Sequence, residues 1–338
     1  MSKAKSEVRN GGRIAICALA ALIIPWSLVH AGRVIQERRA ADPQGEVEIV
    51  NVAGRVEVDG WDRSEIEVSG TAGDGVERVD VTGSGSHTSI HVMSRSSHTW
   101  GSDGEAHLVV HVPVKSAITA TLVSADFKVT GVLGDLKLQA VSGSLSGDAG
   151  GNVRATTVSG GVRLTAHAAR VIEIKTISGD IQLAGGGGEV DITTVSGSAK
   201  LELGDVTRGR FKSVSGDVTA ALALTTDARI ESESVSGDTG LTFAAAPAAE
   251  FDVQSFSGDI KNCFGPKPVQ PQYGPGSRLQ FTNGDGRARV RVNTKSGDVR
   301  LCIKGSRGGN ASGRSTSGSD EFSLVQSRGT RMELPYVF

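Results

Sequence analysis

The chain has 338 residues, of which 45 are Gly and 9 are Pro, and its 36 Lys and Arg against 37 Asp and Glu leave a net charge of −1. A nucleic-acid-binding protein would carry a basic surplus, and collagen is excluded because the glycines lack a three-residue period. With 38% hydrophobic residues, the chain has enough apolar material for a packed core, which argues against wholesale disorder.

Residues 1–31 are typical of a secretion signal. Basic residues at positions 3–13 precede an apolar run at 14–24, and Val29-His30-Ala31 offers a small-residue cleavage site. The alternative is an uncleaved anchor at 14–29, although this is shorter than the roughly 20 residues that span a bilayer comfortably. We therefore predict an extracytoplasmic protein, located in the periplasm with the cell surface as the alternative. Its membrane contact is limited to 14–29 if the signal is retained.

In the next part of the chain, apolar and polar residues alternate in short runs that do not recur at a fixed spacing. We predict a linker at 32–44, followed at 45–135 by degenerate β coils that cap the N-terminal end. The period-two runs at 66–68, 89–93 and 106–112 are typical of half-buried strands.

Residues 136–304 contain many copies of one short sequence motif. An apolar residue, or Lys295 in the last copy, is followed by Ser-Gly and usually by Asp or Ser, and the glycines recur every 17–21 residues with one final step of 39. Fixed spacing over many copies indicates a repeat array, and the flanking alternation, as in 190–195 and 199–203, predicts strands. We predict an all-β fold, a parallel β-solenoid of about 17–21-residue coils with Ser-Gly-Asp turns. The predicted turn glycines are Gly143, Gly160, Gly179, Gly197, Gly216, Gly237, Gly258 and Gly297.

The long final step contains a Pro-rich insertion at 265–277, and Cys263 and Cys302 each lie five residues beyond a repeat glycine. If the insertion loops out of the stack, the last two coils are neighbours and the two thiols meet, so we predict a disulfide. Two unrelated thiols are the alternative. A Gly/Ser-rich linker is predicted at 305–320, followed by a tail at 321–338.

The run from Asn51 to Asp62, the serial Val-Ser-Gly-Asp turns and the stretches 257–265 and 294–299 resemble the bacterial “putative adhesin” β-strand-repeat family, also called toast-rack domains. The resemblance covers about residues 45–304. It implies an extracytoplasmic, single-stranded, right-handed β-solenoid without known catalysis, in a family linked to cell-envelope stress systems.

Two groups of side chains are candidate metal ligands. His91, His107 and His111 are predicted on one hairpin face, where neutral imidazoles could bind zinc or copper, although solvated strand positions are the favoured interpretation. The turn acids could hold calcium between coils, but we favour local turn capping for them. These acids are Asp180, Asp217, Asp238, Asp259 and Asp298.

The serines of the repeat turns have no His and acid at the spacing of a catalytic triad, so we predict a protein that is not an enzyme and needs no cofactor. The function predicted is binding or scaffolding of an envelope protein or a glycan, with the Pro-rich insertion and the His hairpin as the places to look for a partner. The alternatives are a surface adhesin, a self-associating filament and a polysaccharide-acting β-helix enzyme.

Overall fold

The structure, a computed structural model, describes residues 33–95, 104–270 and 275–305. The long regular elements in these ranges are all β-strands, which confirms the all-β prediction. The predicted signal and the tail at 321–338 lie outside the described residues. None of the described segments forms a helix with the length and apolarity that a bilayer crossing requires. The chain divides into two units, one up to Gly134 and one from Asp135 onward.

The first unit is organised around one long strand. Its strands are β1 (Arg33–Trp61), β2 (Glu65–Ala72), β3 (Val76–Ser94), β4 (Ala106–Pro113) and β5 (Ala117–Val132). Residues 46–50 of β1 pair in parallel with β3 and with β5, and residues 54–59 pair in parallel with β4 and with β5. Alternate residues of β1, such as Ile49, Val56 and Val58, are fully buried between these neighbours.

Antiparallel pairing distinguishes this unit from the degenerate β coils predicted at 45–135. Strand β2 runs antiparallel to residues 33–40 of β1 and also to β4. Residues 33–44 are therefore part of a strand and not of the linker predicted at 32–44, because β2 supplies the hydrogen-bonding partner for the start of this segment. A partner so far along the chain leaves no trace in local composition.

The second unit contains fifteen further strands among the described residues. They are β6 (Leu136–Ser142), β7 (Leu145–Ala149), β8 (Val153–Ser159), β9 (Val162–Ala166), β10 (Val171–Ser178), β11 (Ile181–Gly185), β12 (Gly188–Ser196), β13 (Ala199–Ser215), β14 (Val218–Ser236), β15 (Thr239–Phe243), β16 (Ala249–Ser257), β17 (Ile260–Asn262), β18 (Ser277–Thr282), β19 (Ala288–Ser296) and β20 (Val299–Ile303). Apart from β18, they form eight repeats, numbered 1 to 8 in chain order: 136–149, 153–166, 171–185, 188–203, 206–224, 228–243, 249–262 and 288–303.

Each repeat pairs in parallel with its neighbours, with the Ser-Gly turns in register. The spatial order follows the chain through repeat 6 and then changes. Repeat 8 pairs with repeat 6 through β14–β19 and β15–β20, and repeat 7 pairs with the other edge of repeat 8 through β16–β19 and β17–β20. The last two repeats are therefore neighbours, as predicted, but they lie in the reverse of their chain order.

The alternation in each repeat separates core from surface. In repeat 3, Ile172 and Ile174 are buried, whereas Lys175, which follows them in the same strand, is exposed. The inward position three residues before the repeat glycine carries Ser or Thr in repeats 2 to 8. Several of these hydroxyls donate to a turn carbonyl: Ser213 to Gly216 at 2.8 Å and Ser234 to Gly237 at 3.2 Å.

The repeat glycines stand where two backbones approach most closely. A Cβ atom built on Gly216 would lie 2.1 Å from the carbonyl oxygen of Gly197, and one built on Gly237 would lie 2.3 Å from that of Gly216. No real Cβ sits so close to a backbone oxygen, so these positions exclude a side chain. The same contact runs from Gly297 to Gly237 and from Gly258 to Gly297, which follows the reversed order of the last two repeats.

The end of the array is closed by repeat 7, Phe264 and β18, which we call the cap (residues 249–270 and 275–282). Strand β18, which follows the Pro-rich insertion, pairs antiparallel with β16 and adds an edge strand that the sequence analysis did not predict. Phe251 stacks on Phe281 with ring centroids 4.5 Å apart, and Phe264 lies 5.6 Å from Phe251. Cys263 and Cys302 form a disulfide with Cα atoms 4.8 Å apart, which links the cap to repeat 8.

Candidate functional site

An exposed row of apolar side chains crosses the outer face of the second unit. It occupies the position two residues before each repeat glycine, where strict alternation directs the side chain outward. Seven of the eight repeats place an apolar residue there, between 41% (Val195) and 63% (Phe256) exposed. We call this the apolar row; in spatial order it is Val141, Val158, Ile177, Val195, Val214, Val235, Lys295 and Phe256.

The half of the apolar row nearest the cap is the floor of a groove. Val195, Val214, Val235, Phe256 and the one charged member of the row, Lys295, line this space together with Val269 and residues 275–278, and it encloses about 1050 Å³. The insertion is held in place by two backbone hydrogen bonds between Val269 and Arg278, of 2.8 and 2.9 Å. The groove is thus built on paired strands and not on a loose loop.

A row of polar side chains runs beside the groove floor. Its members, two residues before the apolar row, are Thr193, Lys212, Glu233, Asn293 and Gln254 in spatial order. The ammonium of Lys212 lies 2.9 Å from the carboxylate of Glu233, and this hydrogen bond, with the attraction of the same carboxylate, raises the pKa of Lys212. The groove therefore combines an apolar floor with one edge rich in hydrogen-bonding groups.

The next row outward alternates in charge. In spatial order it reads Asp191, Arg210, Glu231, Arg291, Asp252, and the shortest nitrogen–oxygen distance is 3.2 Å between Arg210 and Asp191. Farther along the array Glu173 binds both Lys175 and Arg154. Hydrogen bonds from Lys175 and Arg154 lower the pKa of Glu173. The charges in this row are paired within the protein, whereas the side chains of the apolar row have no such partners in the described part of the chain.

The turn acids cap the backbone of the neighbouring repeat. The N–H of Asp238 donates to the Asp217 carboxylate at 2.8 Å, that of Asp298 to Asp238 at 2.8 Å, and that of Asp259 to Asp298 at 2.9 Å. The carboxylates thus bond from one repeat to the next and not within their own turn, which gives these acids a structural role and differs from the local capping that the sequence suggested.

The three candidate histidines are not assembled as a ligand set. His91 lies opposite Val50 of β1, whereas His107 and His111 lie opposite Arg55 and Asp59. The His111 ring stacks on Trp61 with centroids 5.0 Å apart. Across the described ranges, no group of three His, Cys, Asp or Glu side chains is placed to hold a metal ion.

The apolar row was not predicted from the sequence. The sequence contains the pattern that would have predicted this row, because alternation along each strand directs the residue before Ser-Gly outward. The groove could not be inferred, because it depends on where the insertion packs.

Comparison with known proteins places the chain in a family. The model of the Toastrack DUF4097 family matches residues 46–302. The chain belongs to the Toastrack DUF4097 family. This confirms the resemblance to toast-rack domains drawn from the repeat turns. A search of curated proteins finds no match in sequence.

Two solved structures are similar to this Toastrack chain. A “putative adhesin” from Bacteroides fragilis is 10% identical with a TM-score of 0.36, covering 80% of this chain and 97% of its own. A “putative cell adhesion protein” from Clostridium sporogenes is 9% identical with a TM-score of 0.24, covering 80% of this chain and 100% of its own.

Proposed function

We propose that this Toastrack protein is a non-enzymatic binding module of the cell envelope, built as a right-handed, single-stranded parallel β-solenoid, whose groove binds an extended apolar peptide segment of a partner protein. The observation that carries the proposal is the exposed apolar row, which continues under the insertion as the groove floor. Contiguous apolar surface on a folded protein marks a place of interaction.

The dimensions of the groove suit an extended peptide. Its floor crosses five adjacent strands, and four steps of about 4.8 Å give a length of about 19 Å, which matches about six residues of extended chain. The polar row from Thr193 to Gln254 offers donors and acceptors to a peptide backbone along one edge. A fatty acyl chain would use the floor but leave this edge without partners, so the polar row favours a peptide.

An extracytoplasmic location is supported by the disulfide between Cys263 and Cys302, because such bonds persist in oxidising compartments. The signal-like segment at 1–31 agrees with it. To separate periplasm from surface, a C-terminally tagged chain is treated with protease on intact and on outer-membrane-permeabilised cells. Digestion on intact cells would favour a surface adhesin, and protection until permeabilisation would favour a periplasmic module.

The groove is tested with two matched variants. Val235 and Val158 occupy the same row and are 45% and 42% exposed, but only Val235 lines the groove. Random peptides displayed on phage are selected on the immobilised chain, and the enriched peptides are synthesised with a fluorescent label. We expect alternating apolar peptides, whose affinity falls at least about tenfold in Val235→Asp, the equivalent of about 1.4 kcal/mol, and is unchanged in Val158→Asp.

Three results would contradict the peptide-binding proposal. No peptide is enriched, the two variants bind alike, or a fluorescent sixteen-carbon fatty acid saturates the groove and is displaced by no peptide. The last result would assign the groove to lipid.

A further inference from the structure

A second feature of the same face departs from its charge pattern. Six residues before the apolar row, the outward positions of successive repeats read Glu189, Arg208, Arg229, Arg289 and Glu250 in spatial order. Three arginines are therefore directly opposite one another on adjacent strands. We call Arg208, Arg229 and Arg289 the arginine row.

The central arginine lacks the partner that the other two have. Arg208 lies 3.4 Å from Glu189, and Arg289 lies 3.5 Å from Glu250. No carboxylate of a described residue comes within 4.0 Å of the Arg229 guanidinium. Its neighbours across both strand pairs are arginines, and like charges directly opposite on adjacent strands are destabilising.

The arginine row lines a depression of about 550 Å³ on the protein surface. Arg210 and Arg291 from the alternating charge row border the same depression, and their closest carboxylates are those of Asp191 and Asp252, at 3.2 and 4.0 Å. The carboxylates that line the depression already have arginine partners. An anion that enters the depression would therefore meet the guanidinium of Arg229, which has no carboxylate partner among the described residues.

We propose that the arginine row is a binding site for the phosphate or sulfate groups of an anionic ligand. Guanidinium groups present paired N–H donors in the geometry that phosphate and sulfate oxygens accept. At about 4.8 Å per strand, the three arginines extend over about 10 Å, so the row accommodates more than one such group along a polymer. The site lies about 20 Å from the apolar row, six residues away along each strand, and does not depend on the groove binding a peptide.

The experiment compares the full chain with two variants. Arg229→Gln removes the unpaired charge, and Arg163→Gln is the matched control, an exposed arginine on β9 that bonds Gln182 at 2.9 Å outside the depression. Thermal unfolding is followed against sodium phosphate, sodium sulfate and dextran sulfate, each at an ionic strength held constant with sodium chloride.

For the wild-type chain and Arg163→Gln we expect a saturable rise in Tm with these anions. For Arg229→Gln we expect the apparent affinity to fall at least about tenfold and the Tm without anion to exceed that of the wild type, because the like-charge repulsion is relieved. Tighter binding of dextran sulfate than of inorganic anions would indicate that the ligand is a charged glycan. Equal binding of both would indicate that the ligand is a free anion. No saturable response in the wild type, or an equal response in Arg229→Gln, would overturn the proposal.

Discussion

The regular repeats at 136–243 and the terminal repeats at 249–303 contain the same turn motif but stack in different orders. Repeats 1 to 6 stack in chain order, and each covers the edge of the one before it. Repeat 7 instead lies outside repeat 8, and its own outer edge is covered by the antiparallel β18. An uncovered edge strand invites further pairing, so the reversal and the added strand turn a repeat into a terminus.

The reversal also positions the functional features. The insertion begins and ends beside repeat 7, so residues 275–278 at its end lie over the last part of the apolar row and help to form the groove. The arginine row needs repeat 8 next to repeat 6, because this places Arg289 opposite Arg229. In chain order, Glu250 would lie opposite Arg229 and the charge would be satisfied.

The largest effect we expect is in the regular repeats. Gly216→Ala places a Cβ atom 2.1 Å from a backbone oxygen of repeat 4, and this contact cannot relax without separating two strands. We expect a loss of about 4 kcal/mol or more in the free energy of unfolding, measured by urea denaturation. Gly240→Ala is the control, since the nearest atom to its Cβ would be in the Thr219 side chain at 3.7 Å, an ordinary van der Waals contact; equal losses would refute the close-packing explanation.

The disulfide tests whether the cap is held independently of the regular repeats. Cys263→Ser with Cys302→Ser opens a link over 39 residues, which in the loop-entropy account costs about 4 kcal/mol. We expect faster amide hydrogen exchange in repeats 7 and 8 and unchanged exchange in repeats 1 to 4, because repeats contact only their neighbours. A uniform increase over the whole unit would contradict this.

The buried hydroxyls give a finer comparison. Ser213 donates to a carbonyl of its own repeat at 2.8 Å, whereas Ser255 in the cap donates to Gly297 of repeat 8 at 3.0 Å. Each change to Ala is expected to cost about 1 kcal/mol by urea denaturation. Only Ser255→Ala should speed exchange of the β16 amides against repeat 8. Thr157→Val is the control, because the Thr157 hydroxyl is buried without a partner and its loss should not destabilise.

The smallest effect is expected from the charged rows. Because the pKa of Glu173 is lowered in the folded chain from its ordinary value of 4.5, its stabilising contribution is present above that value and is lost as the pH falls through the folded pKa. Glu173→Gln should cost about 0.5 kcal/mol at pH 7 and progressively less as the pH falls below 4.5, measured by thermal unfolding from about pH 7 to about pH 2. A loss that persists at pH 2 would assign the effect to packing.

Much of the second unit can be predicted from its residues. One sequence motif at near-constant spacing specifies which strand residues face the core and how the strands align. Cys263 and Cys302 also make the last two repeats neighbours. Their order in space cannot be predicted, since both orders keep every turn in register and both bring the cysteines together. The groove and the arginine row depend on that order, so they were missed even though the outward parity of Val214 and Arg229 was readable. In the first unit, β2 pairs antiparallel with distant partners that no local pattern specifies.

The order of the last repeats is therefore the central claim, and engineered cysteines test it directly. Glu233 and Asn293 are partners on adjacent strands, whereas Glu233 and Gln254 are two strands apart, about 9.6 Å at the usual spacing and beyond the reach of a disulfide. After mild oxidation and peptide mapping, we predict a new disulfide in Glu233→Cys/Asn293→Cys and none in Glu233→Cys/Gln254→Cys. The reverse result would place repeat 7 against repeat 6 and contradict the account of both the cap and the arginine row.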